Sequence, residues 1–255
     1  MSMNGYRKEL KYIVSDATLL DVKNCISGLM RPDEHQKGEF YRIRSIYLDS
    51  PSYRCYRENL AGVSTREKYR IRTYDCNSDI INAEIKIRHR ETISKMSAKI
   101  DSQLFDALIS NTSGTAINAL SRALAKVSEQ TEAEDDKKTK ETAKPGPRRV
   151  MEKYLARYAT ESFKPAVIVD YERSAYVYDM CNVRITFDRN VTASREYDRM
   201  FDVNLTGRPA LDDNLHILEI KYDEFLPDEI LEVLGGLGLE RGSSSKYAKC
   251  LDRFL

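Results

Sequence analysis

The chain has 255 residues, enough for one substantial core, and its 41 Lys and Arg almost cancel 40 Asp and Glu, leaving a formal net charge of +1. Such a balance provides no global positive field for general nucleic-acid or membrane attraction, so any anion site must be made locally. Cys25, Cys55, Cys76, Cys181 and Cys250 are odd in number, widely spaced and never C-x-x-C, which argues against a disulfide framework or zinc site and for a reducing, cytoplasmic setting.

In YRKELKYIV the alternation puts Arg7, Glu9 and Lys11 on one side and Leu10, Tyr12 and Val14 on the other, the period of a strand with one polar face. DATLLDVKNCISGLM follows Ser15 with Leu19, Leu20, Val22 and Ile26 at helical spacing, and Ser15 suits the cap. YRIRSIYLDS reads as the next strand. REKYRIRTYD places Arg66, Lys68, Arg70 and Arg72 on one face with Glu67, Tyr69, Ile71 and Thr73 behind, and NAEIKIRHR sets Glu84, Lys86, Arg88 and Arg90 against Ala83, Ile85 and Ile87. A strand at ISKMSAKI and helices at DSQLFDALIS and AINALSRALAKV come next.

From about 126 to 149 the sequence is charged, rich in Thr and Pro and depleted in large apolar residues, so it reads as a flexible exposed insertion within one domain spanning 1–255. Beyond it, VMEKYLARYA is helical and AVIVDYERSAY is a strand. NVRITFDRN sets Arg184, Thr186 and Asp188 against Val183, Ile185 and Phe187; HILEIKYDE sets Glu219 and Lys221 against Leu218, Ile220 and Tyr222. Helices at PDEILEVLGGLG, with Pro227 in its first turn, and at SSSKYAKCLDRFL, with serine caps, complete the chain. About eight strands with repeated polar faces predict an α+β fold, an antiparallel eight-stranded β-barrel tunnel with a basic interior, flanked by helices on its apolar exterior.

No G-x-x-x-x-G-K-[ST], G-x-S-x-G or H-E-x-x-H occurs, and GGLGLERGSSSKY has Arg241 where a third glycine of G-x-G-x-x-G belongs; those glycines are read as ending a helix. His35, His89 and His216 are too far apart in sequence for a helical metal motif. No apolar run approaches the roughly 20 residues of a spanning helix, so no membrane insertion by this chain is expected. Cations crowded on an interior repel one another unless a polyanion fills it, and phosphate oxygens match guanidinium and ammonium donors. A carboxylate in such a lining would meet phosphate through a divalent cation, and Glu219 is the leading candidate. Near-neutral charge and an enclosed face oppose nucleic-acid binding.

Taken in order, RKELKY, IRSIYLDS, REKYRIRTYD, AEIKIR, ISKMSAKI, VDYERSAY, VRITFDR, LEIKY and SSSKY resemble the VTC domain of vacuolar transporter chaperone and bacterial polyphosphate-polymerase-like proteins, within the CYTH or triphosphate tunnel metalloenzyme superfamily. The resemblance implies an eight-stranded tunnel in which Arg70, Arg72, Lys86, Arg173 and Arg184 act on phosphate. It further implies that Lys11, Lys95, Tyr171, Lys246, Arg88, Ser245 and Lys249 bind substrate. Glu219 and Glu9 are the implied carboxylates for Mn²⁺ or Mg²⁺. The superfamily's amino-terminal E-x-E-x-K appears as RKELK, with Arg7 in place of the first Glu, leaving fewer carboxylates for metal and favouring the VTC branch. The expected activity is transfer of the ATP γ-phosphate to growing polyphosphate with release of ADP. A tunnel triphosphatase and a non-catalytic polyphosphate-binding module are the alternatives. ATP, pyrophosphate and polyphosphate are the expected ligands, with a separate membrane protein as a conceivable recipient of product.

Overall fold

A computed structural model describes residues 7–110, 112–134, 146–239, 242 and 245–255. In chain order the strands are β1 (Arg7–Ser15), β2 (Arg31–Pro32), β3 (Tyr41–Asp49), β4 (Thr65–Tyr74), β5 (Ile81–His89), β6 (Thr92–Ile100), β7 (Lys164–Tyr178), β8 (Val183–Ser194), β9 (Arg208–Pro209) and β10 (Leu215–Tyr222). Antiparallel pairing runs β7-β3-β4-β5-β6-β1-β10-β8 and returns to β7 through a β7–β8 ladder, so eight strands close a ring. The closure is uneven: β1 pairs with β10 from Lys8 to Ser15, but among the described residues it meets β6 only at Arg7 and Lys8. Strands on both sides of the 126–149 stretch supply the ring, so neither part closes it alone.

Because side chains alternate along each strand, one face of every ring strand points inward and the other needs cover. The outward apolar groups of β1, β8 and β10, including Val14, Ile185, Phe187, Leu218 and Ile220, pack with Leu19, Val22 and Ile26 of α1 (Asp16–Ile26) and Ile230 and Leu234 of α6 (Asp228–Gly235). A larger core joins β3–β7 to α3 (Ser102–Ile109), α4 (Ser113–Glu134), α5 (Pro147–Glu161) and α7 (Lys246–Leu251). Tyr69, Tyr154 and Phe163 meet there edge to face, with centroids 5.3 Å apart in each pair that Tyr69 makes.

Helix starts follow local chemistry. The side chains of Ser15, Asp101 and Ser245 accept from the backbone amides of Thr18, Leu104 and Ala248, respectively, satisfying amides that a first helical turn leaves without partners. One helix was not anticipated, α2 (Arg54–Leu60). It starts after Tyr53 in the left-handed region (φ 55°) and takes its cap from Asp49, whose carboxylate accepts from the amides of Ser50, Cys55 and Tyr56 and from the Tyr247 hydroxyl at 2.5 Å. Asp49 thereby ties α2 to α7. Of the stretch expected to be a flexible insertion, 126–134 continues α4 and 147–149 begins α5, while 135–145 lies outside the described residues. All five cysteines are unpaired, and among the described residues no helix is long and apolar enough to cross a membrane.

Candidate functional site: a cation-lined cavity inside the ring

The inward faces enclose a cavity of about 440 Å³. Among the described residues, eleven basic side chains and only two carboxylates line it, an excess that costs free energy in a confined space unless anions enter. The alternation of β4 delivers Arg66, Lys68, Arg70 and Arg72 together; β5 adds Lys86 and Arg88, β1 Glu9 and Lys11, β6 Lys95, β7 Tyr171 and Arg173, and β10 Glu219 and Lys221. Ser245 and Lys246, at the start of α7, complete the wall.

Two of the residues placed in the site from sequence lie elsewhere. Arg184 does not line the cavity: its Nη2 meets Asp33 Oδ2 at 3.0 Å and donates to the Tyr41 hydroxyl at 3.2 Å. A carboxylate from the loop after β2 thus draws it aside. Lys249 is half-buried on α7 and is also absent from the lining; it lies three residues, about 4.5 Å, farther along the helix than Lys246. Lys11, Arg70, Arg72, Lys86, Arg88, Lys95, Tyr171, Arg173, Glu219, Glu9, Ser245 and Lys246 do come together. Arg66, Lys68, Lys221, Tyr47 and Asn59 were not placed in the site from sequence; the first two sat on the same alternating face, a signal that already carried them.

Three acidic foci organise the cations. Glu84, 1% exposed, accepts from Arg70 Nε at 2.8 Å and from Lys95 Nζ at 2.9 Å, with Arg72 Nη1 at 3.7 Å. Asp188, fully buried, is held by Arg173 through Nε and Nη2 at 2.6 and 2.7 Å and also contacts Lys246. Glu9 and Glu219 share two ammonium groups. Lys11 Nζ lies 3.4 Å from Glu9 and 2.9 Å from Glu219, and Lys221 Nζ lies 3.5 Å from each. Lys86 donates to both Glu9 oxygens at 3.0 and 3.1 Å, and Lys246 to Glu219 at 2.9 Å.

Tyr171 is part of this electrostatic surface: its hydroxyl accepts from Arg72 Nη2 at 3.3 Å, and its ring lies 5.3 Å from the Arg173 guanidinium carbon and 5.1 Å from Lys246 Nζ. Arg72 itself has mostly neutral partners, donating through Nε to Ser45 Oγ at 3.1 Å.

Burial would raise the Glu9, Glu84 and Glu219 carboxyls, but the surrounding lysines and arginines outweigh it and hold all three well below the usual carboxylate range. Lys86 goes the other way: burial, with Lys11 and Lys221 adding repulsion, outweighs Glu9 and pushes its amine down to about 7. The three carboxylates are therefore ionised, and basic groups still outnumber acidic ones around the cavity.

Among the described residues no three carboxylate, imidazole or thiolate groups converge on one point. Glu9 and Glu219 offer hard oxygen donors whose present partners are lysine ammonium groups and, for Glu219, the Arg173 guanidinium. That set fits Mg²⁺ or Mn²⁺ held jointly with phosphate and water, and not a metal caged by protein alone.

A model of the VTC domain family matches residues 6–255. Among solved structures, a Bacillus halodurans protein described as a candidate adenylate cyclase aligns with TM-score 0.50 and 14% identity over 98% of this chain and 99% of its own. A Vibrio parahaemolyticus protein with a similar description aligns with TM-score 0.47 and 10% identity over 96% and 97% of the two chains. Comparison with curated protein sequences returns no match.

Proposed function

The chain belongs to the VTC domain family, and on that premise we propose that it is a polyphosphate polymerase: it transfers the γ-phosphoryl group of ATP to the end of a polyphosphate chain and releases ADP. The observation that carries the reading is the enclosed lining, where eleven basic groups face two carboxylates and a string of phosphates supplies the missing negative charge. In the transfer, an oxygen of the acceptor's terminal phosphate bonds to the γ-phosphorus while the bond to the β–γ bridging oxygen breaks, and the electron pair leaves with ADP. The nucleophile is already anionic, so no base has to remove a proton. The protein's work is alignment and neutralisation of spreading charge.

Arg70 and Arg72 present guanidinium donors along one strand and Arg173 faces them from β7, an arrangement suited to holding donor and acceptor phosphates in line. Lys86, Lys95 and Lys246 act as adaptable point charges, and Tyr171 keeps Arg72 and Arg173 oriented. Glu219, with Glu9 beside it, would hold Mn²⁺ or Mg²⁺, which when bound neutralises phosphate oxygens.

Incubation with ATP and Mn²⁺, with polyphosphate resolved on a gel and ADP measured, tests the reading. Polyphosphate and ADP should appear together; Arg72→Ala should weaken substrate binding and Glu219→Gln should abolish metal-dependent turnover. Release of orthophosphate without chain growth would make the protein a triphosphatase, and tight binding without turnover would make it a binding module. Full activity in both variants would overturn the residue assignments.

A further inference from the structure

Six lysines line the cavity, and five of them have a carboxylate within 3.5 Å: Lys11, Lys86, Lys95, Lys221 and Lys246. Lys68 forms no ion pair among the described residues. Its Nζ donates at 2.7 Å to Asn59 Oδ1, on α2, and at 2.7 Å to Ser245 Oγ, ahead of α7. Both acceptors are neutral.

The β4–β5 register sets Lys68 opposite Lys86 and, on the next rung of the same face, Arg66 opposite Arg88. Arg66 and Arg88 donate only to the backbone oxygens of Val63, at 2.6 Å, and Arg90, at 2.7 Å, and neither has an ion-pair partner among the described residues. Like charges directly opposed across an antiparallel pair destabilise a sheet. Here two such rungs are adjacent; Lys86 is met by Glu9 from β1, but within the β4–β5 pair an opposite charge comes only on the next rung, where Arg70 faces Glu84.

We propose that Lys68, with the Arg66–Arg88 rung beside it, is a phosphate-contacting, specificity-determining group that selects ligands longer than a triphosphate. The inference rests on reading this cavity as a polyphosphate site. From Arg72 to Arg66 the strand advances about 20 Å, at about 3.4 Å per residue, farther than three linked phosphates reach. At the Arg70–Arg173 end, phosphate oxygens compete with Glu84 and Asp188 for the same donors. At Lys68 they displace nothing charged, so the extra phosphates of a long chain gain most there.

The charge state of Lys68 supplies a signature. Burial first, then repulsion from Lys86 on β5, Lys11 on β1 and Arg66 on its own strand, outweighs the attraction of Glu9 and holds the Lys68 amine well below its ordinary range; α2 and the residue before α7 offer it only Asn59 and Ser245. An arriving phosphate favours the protonated amine and accepts from it in a charge-assisted hydrogen bond. Long-chain binding therefore raises the proton affinity of Lys68, and affinity falls as pH rises.

Isothermal titration with tripolyphosphate and with long-chain polyphosphate, each in two buffers of different ionisation heat, tests the proposal on wild type, Lys68→Met and Lys68→Arg. Lys68→Met should lose about ten- to a hundredfold in affinity for the long chain, the loss of one hydrogen bond to a charged group, and about threefold or less for tripolyphosphate. Lys68→Arg, permanently charged, should keep the preference for long chains and take up less proton on binding than wild type. Equal losses for both ligands, no loss for either, or undiminished proton uptake in the variants would overturn the assignment. Wild type that binds neither ligand would instead overturn the functional reading beneath it.

Discussion

Two buried arginines on neighbouring strands are provided for very differently by the fold. Arg44, on β3, is fully buried and saturated: Nε and Nη2 donate to Asp170 Oδ2 at 3.0 and 2.6 Å, and Nη1 to the carbonyls of Arg199, Met200 and Asp202 at 3.3, 3.0 and 2.7 Å. Arg72, on β4, is 6% exposed, yet it donates to two hydroxyls and has its one carboxylate 3.7 Å away. Desolvation costs both. Arg44 recovers that cost within the fold by pinning the loop through 199–202, whereas Arg72 faces the cavity and, on the proposed function, recovers it when phosphate enters. The difference lies in what each charge is given to hold.

Removing each charge puts the comparison under strain, most severely at Arg44. Arg44→Met leaves Asp170 and three carbonyls without their donor, and should lower the unfolding free energy by about 3–5 kcal/mol, as breaking a buried pair does. Urea denaturation measures it, and a loss under about 1 kcal/mol would erase the distinction. Glu219→Gln comes next, because it frees Lys11, Lys246, Lys221 and Arg173 from their shared partner. The free protein should lose about 2–3 kcal/mol, and saturating tripolyphosphate should raise its melting temperature by more than it raises that of wild type. An equal or smaller ligand-induced rise would mean that phosphate does not replace the carboxylate. Arg72→Ala should change stability by about 1 kcal/mol or less while weakening tripolyphosphate binding about tenfold, ~1.4 kcal/mol; a stability loss like that of Arg44→Met would place Arg72 among the structural charges.

The inward face of the ring was legible in the sequence because period-two alternation is backbone geometry and needs no tertiary information. Arg70 and Arg72 of β4 and Lys86 and Arg88 of β5 come together as that period requires. What was not legible is who pairs with whom. Glu84 neutralises Arg70 because the β4–β5 register sets them opposite, and Asp188 takes Arg173 because the β7–β8 register does the same. Arg184 has the right parity yet meets Asp33, a residue 151 positions earlier, brought in by a loop with no alternating pattern to read. Helix α2 was hidden for a related reason: its cap, Asp49, belongs to the preceding strand, and the left-handed Tyr53 between them breaks the usual cap-to-helix spacing. The charged stretch shows the same bias, since polarity masked the continuation of α4 to Glu134.

The smallest expected effect sharpens the comparison without any mutation. In the free protein Lys86 is pushed down to about 7, and Lys68 and Lys221 are also lowered, burial being the leading cause for each. In the unfolded chain these amines stay protonated up to about 10.4. Between those values the unfolded state binds more protons than the native one, so stability rises with pH. Lys11 and Lys246 have the opposite sign: burial opposes them, but Glu219 with Glu9 or Asp188 raises both, and their contribution is complete below the unfolded value and lost only above it. Buried Cys55 and Cys250 are raised from 9.0, so their cost begins above that pH. The clean window therefore runs from about pH 7, the Lys86 value, to 9.0. The urea midpoint of the free protein should climb across it, and saturating tripolyphosphate should flatten the climb, because phosphate oxygens favour the charged amines. A flat midpoint without ligand would mean that these lysines are already compensated like Arg44, and the cavity would then have no electrostatic need of a polyanion.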